Sequence, residues 1–187
     1  MYKFWTVQHK KVLEIIKEKG VYKADLSSSR FVGENPALYG LYKYIIDSFN
    51  NVNGFDVDGV IFAFLYCDNN RIYPFNDFND FSHYIRTKKQ AIETLWKKYS
   101  NDDYVVLELI YESNFNPLFI DINDFQLLMP PLVVLPPYTQ ESFGKILNNL
   151  SLGRTALSEF PSYLIQAHLP YITEDNVVNV YPIFSLT

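Results

Sequence analysis

The chain is poor in the residues that most catalytic and structural motifs require. It holds one cysteine, three histidines and seven glycines among 187 residues. A lone Cys67 excludes an intramolecular disulfide, and the histidines lie too far apart in sequence to show zinc-ligand spacing. Neither the Rossmann nor the P-loop glycine fingerprint occurs. The sequence therefore carries no specific catalytic motif, and we expect no bound metal.

Long apolar runs and basic stripes are also missing. The N-terminus lacks the apolar core of a signal peptide, and the apolar stretch Leu127–Pro137 is broken by two pairs of prolines, far short of the roughly 20 residues of a membrane helix. The sequence predicts a soluble, cytoplasmic protein without membrane contact. A net charge of −5 argues against a nucleic-acid partner, because such proteins usually carry a basic face.

Hydrophobic and aromatic residues are abundant, at 48% and 17% of the chain, which is typical of a folded globule. The predicted helices are His9–Lys19, Pro36–Phe49, Thr87–Tyr99 and Thr139–Leu150, and the predicted strands are Phe4–Gln8, Val21–Asp25, Gly59–Cys67, Arg71–Phe75, Tyr104–Tyr111, Pro117–Ile122 and Val177–Phe184. Their irregular alternation favours an α+β fold, a single compact domain with a mixed or largely antiparallel sheet and about four flanking helices. We expect a core domain over residues 1–150 and a C-terminal extension over residues 151–187 packed on it.

Polar residues are interleaved with apolar ones at the start of the chain. The run from Thr6 and Gln8 through a helix to Tyr22 and Asp25 reads as strand, helix, strand. These four side chains are predicted to point into one cleft and to bind a ligand.

Glu108 is the most unusual single residue. It lies in the middle of the best predicted strand, between Leu107 and Leu109. A carboxylate at such a position destabilises the fold unless it faces solvent, is paired with another group or lies in a cleft. Two interpretations stay open: a catalytic carboxylate, or a solvent-facing residue of an edge strand.

The same residues carry a family resemblance. The chain resembles the bacterial family catalogued as domain of unknown function 3841 over roughly residues 1–150, through the segments Trp5–Gln8, Gly20–Asp25, Val60–Tyr66, Val105–Leu109 and Phe119–Phe125. That family is uncharacterised, so the resemblance implies a fold and a small bacterial or phage protein, and it implies no activity.

A second resemblance concerns the order of strand, helix, glycine, strand and a later glutamate-bearing strand. This order is similar to that of ADP-ribosyltransferase-like domains, which implies that Thr6 or Gln8 together with Tyr22 would hold NAD, and that Glu108 would orient the ribose. Trp5 stands near the place of the family's usual histidine or arginine.

Two function classes follow. The first is a binding or interaction module without a cofactor, which uses its aromatic residues against a protein partner or a small-molecule ligand. The alternative is an ADP-ribosyltransferase-like enzyme or NAD glycohydrolase in which Glu108 is the catalytic carboxylate.

Overall fold

A seven-stranded antiparallel sheet organises the protein. The computed structural model describes residues 1–99, 101–112 and 114–187. Its strands are β1 (Tyr2–His9), β2 (Val21–Tyr22), β3 (Ile61–Asp68), β4 (Arg71–Tyr73), β5 (Tyr104–Tyr111), β6 (Leu118–Asp121), β7 (Leu164–Leu169), β8 (Ile172–Thr173) and β9 (Val177–Pro182). The strand order is β6-β7-β3-β1-β5-β9, β4 pairs with β3, and β2 with β8 forms a separate two-stranded ribbon.

The helices lie on both sides of this sheet. They are α1 (Lys11–Lys19), α2 (Arg30–Glu34), α3 (Tyr39–Asn53), α4 (Phe78–Thr87), α5 (Lys89–Tyr99), α6 (Ile122–Leu128) and α7 (Gln140–Ser151). The four predicted helices correspond to α1, α3, α5 and α7, and the α+β fold class is confirmed. Of the others, α4 lies between the predicted strand Arg71–Phe75 and the predicted helix Thr87–Tyr99, where the sequence predicts no helix. It begins there because the Asp77 side chain accepts a hydrogen bond from the Asp80 N–H at 2.8 Å and caps the helix.

Each face of the sheet has its own apolar core. One core packs α1, α3, α6 and α7 against the sheet. The other is strongly aromatic and packs α4 and α5 around Trp5, Phe81 and Trp96. The Trp5 and Phe81 rings stack with centroids 5.3 Å apart. Because both faces are covered, most of the aromatic content lies inside the protein.

The residues beyond 150 belong to the same sheet. Strand β7 lies between β6 and β3 and is buried along its whole length, and β9 pairs with β5 and completes one edge of the sheet. The residues after Leu150 thus contribute two strands to the main sheet. The second predicted strand is shorter than expected, and Val21 with Tyr22 pairs with β8 outside the main sheet.

A buried histidine in β7 gives the fold a pH dependence. Nδ1 of His168 lies 2.8 Å from the carbonyl oxygen of Leu118, which can only accept, so Nδ1 carries the proton. Its Nε2 lies 3.2 Å from the amide nitrogen of Gln166, which donates to it. Burial lowers the pKa of His168 from 6.5 to about 4. The folded state therefore holds this ring neutral at pH values where the unfolded chain protonates it.

We expect His168 to cost the protein about 2 kcal/mol of unfolding free energy between pH 7 and pH 5, because only the unfolded chain binds the extra proton in that window. Chemical denaturation at both pH values measures this loss. His168→Asn keeps a donor toward Leu118 and does not titrate, so its stability should fall less. Equal losses in the two proteins would contradict the assignment.

Candidate functional site

The sheet opens between β1 and β3. Within the described part of the chain, which includes all of β1 and β3, Trp5 and Phe64 form the one β-sheet residue pair between these two strands. Continuing that register would place Val7 opposite Phe62. Instead the Thr6 hydroxyl donates a 2.6 Å hydrogen bond to the Phe62 carbonyl oxygen. This side-chain bond stands where a backbone bond would continue the ladder, and the two strands separate beyond it.

A cavity of about 440 Å³ fills the space between the separated strands. Its lining includes Tyr42 from α3 and Tyr99 from α5. These two residues belong to the cores on opposite faces of the sheet. An intact sheet would keep them apart, so the opening between β1 and β3 is what brings them to one site.

Three of the four residues predicted to bind a ligand line this cavity: Gln8, Tyr22 and Asp25. The fourth, Thr6, is fully buried and lies behind them. It contacts the site indirectly, because its hydroxyl oxygen accepts a 2.8 Å hydrogen bond from Nε2 of Gln8. The grouping predicted from the sequence is therefore present, with Thr6 in a supporting position.

Asp25 has a structural role at the cavity edge. Its carboxylate accepts hydrogen bonds from the backbone N–H of Ser27 at 2.8 Å and from the Ser27 hydroxyl at 2.7 Å. It thereby caps the short 3-10 helix Leu26–Ser28. Asp25 is less available to a ligand than the sequence suggested.

Aromatic rings form two walls of the cavity. On one side the rings of Tyr42 and Phe62 meet edge to face at 5.5 Å. On the other side the Tyr104 ring packs against the rings of Tyr99 and His9, each with centroids 5.3 Å apart. In the sequence, Tyr42 and Tyr99 recur at helical spacing with apolar residues, which is typical of core positions and gives no signal for a site.

Three tyrosine hydroxyls in the lining have no hydrogen-bond partner among the described residues. Within the described residues, no hydrogen bond reaches the hydroxyls of Tyr22, Tyr42 or Tyr99, whereas every fully buried side-chain nitrogen and oxygen has a partner. These hydroxyls therefore remain open to the cavity. Burial raises the pKa of Tyr42 to about 12, and burial together with the nearby Tyr42 and Tyr104 raises the pKa of Tyr99. Both groups stay protonated at neutral pH and can donate as well as accept hydrogen bonds.

The charged groups near the cavity lie at its rim. Arg30 lines the mouth and donates to the Glu34 carboxylate at 2.7 Å and to the Tyr104 hydroxyl at 3.2 Å. Glu34 also accepts from Lys98 at 2.9 Å. These side chains are largely exposed, so the network adds little stability. Among the described lining residues, no unpaired charged side chain lies in the interior of the cavity.

Glu108 lies on the other face of the sheet. The register places Glu108 opposite Trp5 and places Leu107 opposite Thr6, and neighbouring residues of a strand point to opposite faces. Glu108 is therefore not brought together with Thr6, Gln8 or Tyr22.

Glu108 is instead a paired, buried carboxylate. It forms an ion pair with Nζ of Lys3 at 2.6 Å and accepts hydrogen bonds from Asn179 at 2.8 Å and Tyr181 at 3.4 Å. Burial acts to raise the pKa of Glu108, but the hydrogen bonds from Lys3 and Asn179 outweigh it and hold the pKa below its usual range. Glu108 thus ties β1, β5 and β9 together.

The described residues offer little else that resembles a reactive centre. No group of three or more histidine, cysteine, aspartate or glutamate side chains is arranged to hold a metal ion in that part of the chain. None of its helices has the length and apolar character needed to cross a lipid bilayer. A second cavity, beside α7, measures only about 80 Å³.

Comparison with known proteins adds no relative: no family model matches the chain, and no curated protein or solved structure matches it either. The resemblance to domain of unknown function 3841 stays a prediction.

One glycine fixes the position of the cavity wall. A Cβ atom on Gly59 would lie 2.6 Å from the carbonyl carbon and oxygen of Ala24. The same two segments are joined by a 2.9 Å hydrogen bond from the Leu26 N–H to the Asp58 carbonyl. Only glycine permits this approach, which holds Tyr22 and Asp25 against the mouth of the cavity.

We expect Gly59→Ala to reduce the unfolding free energy by roughly 1–3 kcal/mol, because backbone must move to relieve the contact. Gly33→Ala is the matched control, since Gly33 lies in α2 with open space around it and alanine favours helices. Thermal or denaturant unfolding of the two variants compares them. A Gly59→Ala protein as stable as Gly33→Ala would show that the close approach is not required.

Proposed function

We propose that the protein is a small binding module whose ligand occupies the cavity between β1 and β3. The observation that carries this proposal is an aromatic-lined cavity of about 440 Å³ into which three tyrosine hydroxyls open, those of Tyr22, Tyr42 and Tyr99, with no hydrogen-bond partner among the described residues. Cavities of roughly 300–1,000 Å³ with apolar walls and a few polar groups are typical of small-molecule sites. The cytoplasm remains the compartment in which we expect it to act.

A small ligand fits the arrangement better than a protein partner. Among the described residues, the exposed aromatic side chains are Tyr2, Tyr39 and Tyr163, and the other rings are at least partly buried. An interaction module that used aromatic residues against a partner would show more of them on its surface. The aromatic content instead supplies the two cores and the walls of the cavity.

The placement of Glu108 favours binding over catalysis. A carboxylate that stabilises a ribosyl centre must face the bound nucleotide, whereas Glu108 lies on the opposite face from Gln8 and is engaged by Lys3. The position of Glu108 therefore gives no support to the NAD-processing alternative.

The test is a thermal-shift screen of the purified protein with NAD, ADP-ribose and a set of uncharged aromatic fragments. A ligand at about 100 times its Kd should add about 2.7 kcal/mol of stability, which corresponds to roughly 5–10 °C for a chain of this size. We expect an uncharged fragment to produce such a shift. Tyr42→Phe and Tyr99→Phe should reduce it, because each removes a hydroxyl that faces the cavity.

Two further variants act as controls. Tyr44→Phe removes a hydroxyl that is bound to the Leu147 carbonyl at 2.7 Å, outside the cavity, so it should leave the shift unchanged. Glu108→Gln should also leave it unchanged. The proposal fails if no compound raises the melting temperature. It fails equally if NAD raises it through Glu108 while Tyr42→Phe and Tyr99→Phe have no effect.

A further inference from the structure

The orientation of the Gln8 amide is set by a chain of two hydrogen bonds. The Phe62 carbonyl oxygen can only accept a hydrogen bond, so the Thr6 hydroxyl donates its single hydrogen to it at 2.6 Å. Thr6 can then only accept from Gln8, and the group 2.8 Å away must be the NH2 end of the amide. Because Thr6 is fully buried, this assignment does not depend on solvent.

The rest of the Gln8 amide is free for a ligand. Within the described residues, Gln8 makes no other side-chain hydrogen bond, and it lines the cavity while only half-buried. Its carbonyl oxygen and its second N–H therefore remain available. A carboxamide of this kind forms paired hydrogen bonds with a ring edge that carries a donor beside an acceptor.

Among the described residues, the interior of the cavity offers no counter-charge to an ionised ligand. The Asp25 carboxylate keeps its negative charge, because Ser27 is a neutral donor, but it lies exposed at the mouth of the cavity. The charge of the Arg30 guanidinium is paired with Glu34, and Arg30 also donates to Tyr104. The hydroxyls that face the interior belong to protonated tyrosines. An ion buried there would lose its hydration without gaining a partner, so the site favours an uncharged molecule.

The aromatic walls add a preference for a flat molecule. The pair Tyr42 and Phe62 lies on one side, and the pair Tyr99 and Tyr104 lies on the other. Aromatic side chains pack favourably on planar rings, as they do on the bases of single-stranded nucleic acids.

Resting on the function proposed above, we infer that the ligand is an uncharged planar heterocycle with a hydrogen-bond donor next to an acceptor on one edge. Cyclic amides such as uracil and hypoxanthine belong to this class. Gln8 forms the paired hydrogen bonds with that edge of the ligand, and the tyrosine hydroxyls bond to the ligand's remaining polar atoms. The aromatic rings of the cavity walls pack on the faces of the ligand. Thr6 is a positioning residue that holds the amide of Gln8 in the correct orientation.

Calorimetric titration with matched nucleosides tests this inference. Uridine and inosine carry the complete edge, whereas 3-methyluridine and 1-methylinosine carry a methyl group in place of the donor hydrogen. We expect each unmethylated nucleoside to bind at least about tenfold more tightly than its methylated partner, as one lost paired contact implies. Gln8→Met should abolish this preference while the protein stays folded.

Variants of Thr6 separate positioning from simple destabilisation. Thr6→Val removes the hydroxyl and should reduce the preference for the unmethylated nucleoside, and Thr6→Ser restores the hydroxyl and should restore the preference. The preference is a ratio of two affinities for the same variant, so a change in stability alone does not move it.

The inference is overturned if methylated and unmethylated nucleosides bind equally, if Gln8→Met retains the preference, or if none of the four binds. In each case, a shift produced by other aromatic fragments and reduced by Tyr42→Phe or Tyr99→Phe would leave the binding function itself intact. The failure of the ligand class is thereby distinguishable from the failure of the proposed function.

Discussion

The hydrogen bond from the Thr6 hydroxyl to the Phe62 carbonyl is the contact on which the site depends. It satisfies a backbone acceptor that would otherwise need a partner in the neighbouring strand. The ladder between β1 and β3 can therefore end after Trp5 and Phe64 without leaving that carbonyl unpaired. The cavity, the position of Gln8 and the meeting of tyrosines from two separate cores all follow from that ending.

The separation of β1 from β3 is tolerated because β1 is held firmly on its other side. All eight residues of β1 pair with β5, and the Glu108 carboxylate adds contacts to Lys3 and Asn179. The Trp5 ring is fixed in the aromatic core, where its Nε1 donates to the Phe75 carbonyl at 3.2 Å. One edge of β1 thus supplies stability, while the other edge is free to border the cavity.

Much of the fold follows from local pattern, because the four predicted helices and most strands have clear apolar periodicity, and Gly20 and Gly54 end α1 and α3 in the left-handed conformation. Strand β7 is an exception. Gln166 and His168 are polar, yet they lie fully buried, because their side chains form a hydrogen bond with each other. No local sequence pattern reveals such a pair. The additional helix α4 depends on the cap at Asp77, within a segment whose asparagines and aspartates are equally typical of turns.

The site was predictable only in part. Alternation along β1 indicated Thr6 and Gln8, and both belong to the site or its support. The face on which Glu108 lies relative to them depends on the pairing of Trp5 with Glu108, a contact between residues far apart in sequence. The roles of Tyr42 and Tyr99 in the site could not be predicted for a related reason. An inward-facing tyrosine has the same sequence pattern whether its side chain packs in a core or lines a cavity.

Amide hydrogen exchange along β1, followed by NMR, tests the central claim that the sheet opens between β1 and β3. The amides of β1 that point toward β5 should be protected along the whole strand. Beyond Trp5, the amides that point toward β3 should exchange orders of magnitude faster than those neighbours. Uniform protection of both sets through His9 would mean that the ladder is closed, and the cavity and the binding function argued from it would then be contradicted.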